Sequence, residues 1–310
     1  MKNILTAFLF IAFILSSIPA FSSNPVILKD SVDSYPLGLH FEYFEDTSGK
    51  LTLQDIQKPE IQKKFKKTKK KVSNFVKTKS AFWFKFAVIN QMTSDDKLIL
   101  ESSWPLYDHI DLYIQNSSGD FILKKHGNVF PFNHREIKHR NFAFYINPPQ
   151  NEKQIYYIRI QTETSMQAPF HIITSNYFNQ KNLYEYLFLG FLFGGFIIMF
   201  IYNLFIFAFT NDKTYFIYIL YLIAHLFFQV SYLGIGSQLI WGNFPSFNMH
   251  SMPLSLGIGS ALTLIFAKSF LNIKSISSKL NILYIFLITT IILLTSCTLY
   301  SIYLPRSEEH

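Results

Sequence analysis

The stretch LFLGFLFGGFIIMFIYNLFIFAF, from Leu187 to Phe209, decides how this chain is read. It contains no Asp, Glu, Lys or Arg. At about 1.5 Å of rise per residue it is long enough to cross a hydrocarbon core roughly 30 Å thick as one helix. Soluble core helices this long and this apolar all round are rare.

Toward the C-terminus the pattern repeats. Residues 186–211, 214–267 and 280–305 carry no acidic or basic side chain. The first and third stretches hold one spanning helix each. The second holds two, divided at Trp241-Gly242-Asn243-Phe244-Pro245 and again near Pro253. Helices are expected at about 187–209, 214–238, 252–271 and 282–303, and 181–310 is the transmembrane domain, an all-α helix bundle. Toward the N-terminus the composition changes. Residues 24–180 carry 21 Lys/Arg and 16 Asp/Glu, against six and four over 181–310. The hydrophobic fraction of 49% averages two unlike halves.

Lys2, the apolar run Ile4–Leu15, and Ala20-Phe21-Ser22 read as a cleaved signal peptide over 1–23. The domain at 24–180 then starts outside the cytoplasm. Short loops agree with that orientation. Lys213, Lys268, Lys274 and Lys279 fall on the inner side, and 240–251 has no Lys or Arg. Trp241, Tyr184 and Tyr186 would form an aromatic belt at the outer interface.

Residues 24–180 read as eight to ten short strands. Ala81–Asn90 alternates Phe82, Phe84, Phe86 and Val88 with other residues. Ile110, Leu112 and Ile114 do the same, as do Phe142, Phe144 and Ile146, and Ile155–Thr162. Turns fall at Thr47-Ser48-Gly49, Asn116–Asp120 and Asn147-Pro148-Pro149. A helix fits only near Thr52–Gln57, with another in the lysine run. This is an all-β, jelly-roll-like sandwich.

The formal charge of +8 is mostly local. Residues 58–79 hold ten lysines and one acid, Glu60. Outside the membrane this run would not meet nucleic acid. It reads as a solvated, mobile loop, or as a contact for anionic headgroups or acidic polysaccharide. One cysteine, Cys297, excludes an intramolecular disulfide and a Cys-based zinc site, and no cofactor or metal motif occurs. His109 lies near Asp108 and Asp111, yet no motif ties a nucleophile to it. The chain is not expected to be an enzyme.

An ordered set of motifs carries a resemblance. Trp104-Pro105-Leu106-Tyr107-Asp108-His109-Ile110-Asp111-Leu112-Tyr113 precedes a Gly119-Asp120 turn. Phe130-Pro131-Phe132 with Arg135, Arg140-Asn141-Phe142, Ile158–Thr162 and Pro169 follow. In the helices come Leu189-Gly190, Gly194, Tyr202-Asn203-Leu204-Phe205, Tyr215, Tyr218, Tyr221, Gln229, Gly234, Trp241, Phe266 and Phe270-Leu271. The order resembles bacterial seven-transmembrane receptors with diverse intracellular signalling modules. The resemblance covers the periplasmic sensory domain and the first four membrane helices, so the C-terminal helices and the output module are missing from the pattern.

That resemblance implies a receptor in the inner membrane of a Gram-negative-type bacterium, with its N-terminal domain in the periplasm. The implied ligand is a carbohydrate or a related small molecule. Signal transduction would then require a signalling partner chain. The alternatives are a membrane-anchored adhesion or assembly module, or a truncated remnant of a longer receptor. A sugar site needs flat aromatic surface and a few fixed donors or acceptors. The candidates are Trp83, Trp104, Tyr107, Arg135, Arg140, Tyr157 and Arg159. The competing reading makes Trp83 and Trp104 core residues and has Arg135 and Arg140 pin a long loop. Within the membrane, Gly190 and Gly194 form a G-x-x-x-G packing face, and Asn203, His225 and Gln229 are polar groups facing the bundle.

Overall fold

A computed structural model describes residues 24–116 and 118–303. The expected signal peptide over 1–23 lies outside the described residues. Thirteen strands come first among those residues, then long helices. The strands are β1 Val26–Leu28, β2 Ser34–Pro36, β3 Glu42–Asp46, β4 Lys66–Lys67, β5 Ser73–Phe75, β6 Ala81–Asn90 and β7 Leu98–Ser102. They continue with β8 His109–Gln115, β9 Phe121–His126, β10 Phe142–Ile146, β11 Lys153–Gln161, β12 Met166–Ala168 and β13 Phe170–Thr174. Short helices α1 (Leu53–Ile56) and α2 (Pro59–Gln62) interrupt them. The later helices are α3 Ser175–Thr210, α4 Lys213–Tyr232, α5 Ile235–Leu239, α6 Pro245–Phe270, α7 Ile273–Ile276 and α8 Ser278–Tyr303. The class is a β-sandwich region followed by a helical bundle.

Four helices are long and apolar enough to cross a membrane: α3, α4, α6 and α8. Helix α3 begins twelve residues before the expected 187, because Thr174 caps it directly from β13. Helix α4 ends earlier than expected, where Gly234 takes a positive φ of 73° and starts α5. Pro253 does not divide the third span, and α6 runs through it from a start at Pro245. Trp241 is buried rather than presented to an interface. It packs on Phe227 and Phe247 and donates Nε1–H to Asn248 Oδ1 at 3.1 Å.

The chain divides into two compact units that do not follow chain order. One holds the described residues through Asp95, Ile110–Lys125 and Asn147–Phe170. The other holds Asp96–His109, His126–Ile146 and the described residues from His171 onward. Strands β7 and β10, and nearly all of β13, therefore share a unit with the helices.

In the first unit a sheet runs β4-β3-β6-β11-β8-β9, with β1 added in parallel to β6. Its centre is β6, paired antiparallel with β11 so that Trp83 lies opposite Arg159 and Lys85 opposite Tyr157. Strand β6 is buried on both faces from Ala81 to Val88, which is why its alternation marks no solvent side. On one face Phe41, Phe84, Phe86 and Phe170 meet edge-on or tilted, and Phe86 stacks on Tyr156 at 5.0 Å. On the other, Trp83 and Tyr157 pack with Leu53 and Ile56 of α1. In the second unit β10, β7 and β13 lie side by side, with Phe144 opposite Leu100.

Candidate functional site

The face of the first sheet that carries Trp83 is only partly covered. Asp46 fixes the cover by accepting from Ser48 N at 3.0 Å, Ser48 Oγ at 2.6 Å and Leu51 N at 2.9 Å. A capping box then starts α1. Thr52 Oγ1 accepts from Asp55 N, and Asp55 Oδ2 accepts from Thr52 N. This places Leu53 and Ile56 over Trp83 and Tyr157. Ile61 and Phe65 continue that cover, and the face stays open beside α1, toward β8 and β9.

This open side is a groove of about 690 Å³. Its walls come from Leu51–Gln54 and Gln57, the Gly119–Phe121 turn with Leu123 and Lys125, and the strand residues Asp111, Tyr113 and Arg159. Arg159 Nη2 donates to Gly49 O at 2.8 Å and to Gln161 Oε1 at 2.7 Å. The guanidinium is thereby oriented. Its Nη1 stands 3.7 Å from Asp111 Oδ2, an ion-pair distance but too long for a hydrogen bond. Burial pushes the Asp111 carboxyl above its usual range, with Arg159 and Lys125 pulling back. Burial pushes the Tyr113 phenol up to about 12, helped by Asp111. Tyr113 stacks on Trp83 at 5.4 Å and stays half-buried. The groove offers a carboxylate, a guanidinium N–H, the exposed amides of Gln54 and Gln57, and aromatic surface.

Of the seven candidate ligand residues, only Arg159 lines this groove. Trp83 and Tyr157 sit beneath it, at 0% and 4% exposure, and reach no surface ligand. They support Tyr113 and Phe121 from below. Their aromatic identity suggested a platform, but the cover of α1 makes them core.

The other four belong to the second unit. Tyr107 is fully buried, bonded to Ser102 Oγ at 2.9 Å and stacked on Phe142 at 5.6 Å. Burial raises its phenol pKa. Arg135 is buried too. It donates to the carbonyls of His139 at 2.8 Å and Arg140 at 2.9 Å and to Asn128 Oδ1 at 3.2 Å, and lies 4.1 Å from the Phe142 ring centre. Burial pulls its pKa down to about 9. It pins the 128–140 loop and offers no free donor geometry to a ligand. Trp104 is half-buried and meets Tyr232 edge-on at 6.1 Å.

Arg140 reaches the helices. It pairs with Glu185 of α3 and donates Nη1–H to Leu233 O at 3.2 Å. Beside it Lys181 Nζ meets Glu101 Oε2 at 2.6 Å, and Asn141 Nδ2 donates to Glu101 Oε1 at 2.8 Å. Asn128 Oδ1 also accepts from Asn248 Nδ2 of α6 at 3.1 Å. Phe132 N donates to Gly242 O at 2.8 Å, and a Cβ on Gly242 would sit 2.6 Å from Phe132 Cβ. His139 lies within this clasp, its pKa held down to about 3 by burial and by Arg140, Lys181 and Arg135. Sequence reasoning missed Glu101, Lys181 and Glu185, since eighty residues separate Glu101 from Lys181. It met Asp111 as a neighbour of His109 and within the Trp104–Tyr113 motif, and not as a ligand group. The polar phase of Asp111 against Ile110 and Leu112 was the available signal.

In the helices, a Cβ on Gly190 or Gly194 would meet open space, so this pair packs against no helix among the described residues. The expected packing face within the bundle is corrected on that point. Asn203 Nδ2 bonds the Met199 carbonyl of its own helix at 2.7 Å. His225 Nε2 and Gln229 Nε2 approach to 3.4 Å across one turn. No group of three potential metal ligands occurs among the described residues.

Two family models match the chain. One, described as 7TMR-DISM extracellular 2, matches residues 38–174. The other, described as 7TM diverse intracellular signalling, matches residues 185–307. No curated protein matches the chain.

Proposed function

The chain belongs to the 7TMR-DISM receptors, and from that premise we propose that its groove takes a small polar ligand, a carbohydrate foremost. The protein is a multi-pass membrane protein of the sensory-receptor type. The observation that carries the proposal is the half-made pair of Arg159 and Asp111 beside Tyr113. A carboxylate and a guanidinium N–H at this spacing match two neighbouring hydroxyls, one donating and one accepting. The ring of Tyr113 suits the apolar face of a sugar. Catalysis is no part of this reading.

Coupling to the helices is the second half of the proposal. The clasp of Glu101, Lys181, Glu185 and Arg140 ties β7 and the flank of β10 to α3 and to the end of α4. Ligand binding that favours one arrangement of the strand-rich domain would therefore bias the helices, provided affinity differs between two states. The groove faces the periplasm, as Lys213, Lys274 and Lys279 favour by the positive-inside rule.

Titration calorimetry of the full chain in nanodiscs against mono- and oligosaccharides tests this. Binding that Arg159→Gln weakens about tenfold is expected, since one charge-assisted donor contributes about 1.5 kcal/mol or more. No saccharide binding, or binding indifferent to Arg159→Gln and Asp111→Asn, would overturn the assignment.

A further inference from the structure

The lysine run is not a loose loop. It is threaded through ordered elements: α2 at Pro59–Gln62, β4 paired with β3, and β5 paired with β12. Thr68 is buried, and its N–H and Oγ–H both reach the Phe41 carbonyl, at 3.1 and 3.0 Å. Lys71 O passes so close to Gly38 that a Cβ there would lie 1.7 Å away. Phe75 packs on Phe82 at 4.3 Å, and Phe65 stacks on Phe44 at 5.7 Å. The backbone and the aromatic side chains point inward and hold. The lysines do not.

Lys63, Lys64, Lys66, Lys67, Lys69, Lys70, Lys71, Lys77 and Lys79 are all exposed. Among the described residues none of them makes an ion pair, whereas Lys58 pairs with Asp55. Concentrating this many cations in one short ordered segment costs self-repulsion that a partner anion would relieve. Strand β4 is a sheet edge, and a lysine or two suffices to blunt an edge against aggregation. Nine exceed that need.

We infer that this surface docks on anionic phospholipid. Two features select a lipid surface over an acidic glycan. There is no arginine between 58 and 79, so the forked recognition of defined carboxylates or sulfates is missing. Val76 is 83% exposed and Val72 36%, each beside a lysine. Lysine point charges interleaved with protruding aliphatic groups match the headgroup boundary of a bilayer. This inference is independent of the groove.

The test uses the full chain in phosphatidylcholine nanodiscs, carrying Cys297→Ser and an environment-sensitive dye on Val76→Cys. Vesicles of phosphatidylcholine, with or without phosphatidylglycerol, are added. A blue shift is expected with phosphatidylglycerol at vesicle concentrations at least about tenfold lower than without it. High salt should reverse the shift. Replacing Lys63, Lys64, Lys66, Lys67, Lys69, Lys70 and Lys71 by Gln should abolish it, with circular dichroism unchanged. Equal response to both vesicle types overturns the inference, as does a shift that survives salt. A response to a soluble acidic polysaccharide with none to anionic vesicles also overturns it. Should the glutamine variant fail to fold, lipid and salt dependence of the parent chain still decide.

Discussion

The groove and the clasp use the same chemistry in opposite ways. Each sets a cation against a carboxylate. In the clasp Glu101 is fully buried and both its oxygens are bonded, one to Lys181 at 2.6 Å and one to Asn141 at 2.8 Å. In the groove Arg159 and Asp111 stand 3.7 Å apart beside open space, and the Asp111 pKa is raised rather than lowered. A carboxylate bonded through both oxygens fixes a shape. A pair with unspent bonding capacity at an open surface is where a polar ligand gains most.

The sharpest break of this comparison is Glu101→Ala. It strips Lys181 and Asn141 of their shared acceptor, and a loss of about 3 kcal/mol is expected, at the low end for a broken buried pair since Lys181 is partly exposed. Thermal unfolding of the full chain in detergent measures it. A change below about 1 kcal/mol would mean the clasp does not hold the strands.

Next comes pH. His139 titrates near 3 in the folded chain and near 6.5 when unfolded. The depressed value means that its contribution is intact above about pH 6.5 and is lost as pH falls toward 3. Between about pH 7 and pH 5 the expected loss is about 2 kcal/mol, because only the unfolded chain takes up the proton. His139→Phe should flatten that limb of a melting-temperature profile. An unchanged limb would assign it elsewhere.

Asp111→Asn sharpens the groove side. The raised pKa contributes stability only below the ordinary carboxylate range, and that contribution is gone once pH rises through the folded value. At neutral pH the buried charge therefore costs stability, and the asparagine variant should melt no lower than the parent while its saccharide affinity drops about tenfold. Loss of both together would make Asp111 structural. The smallest effect is expected at Gly194→Ala. Its Cβ meets open space, so stability should change by less than about 1 kcal/mol and not unfavourably. Gly242→Ala, pressed against Ser237 O at 2.1 Å, should be clearly destabilising.

The strands that were legible are those whose pattern is local. Ala81–Asn90 and Phe142–Ile146 match their strands end to end. Three-residue strands such as β1 and β12 were not legible, since so few residues show no period. Arg159 was recognisable as a groove residue by type, while Trp83 and Tyr157 misled. Nothing local says that the capped turn at Thr52 folds over them. Gly190 and Gly194 misled in the same way, because spacing shows that two helices can approach and not that a neighbour is there.

The sequence alone determined what depends on composition and short period: four membrane-length helices, a strand-rich domain before them, and the family. Burial of apolar stretches and alternation along strands act within one segment, so each segment carries its own record. The tertiary structure decided which side chains became available. It put β7 and β10 in one unit with the helices, turned Arg135 and Tyr107 inward, and left Asp111 and Arg159 facing an open groove. Those outcomes depend on contacts between residues far apart in the chain, such as Glu101 with Lys181 and Arg159 with Gly49. Such contacts are set by packing and hydrogen-bond geometry, which no single stretch contains.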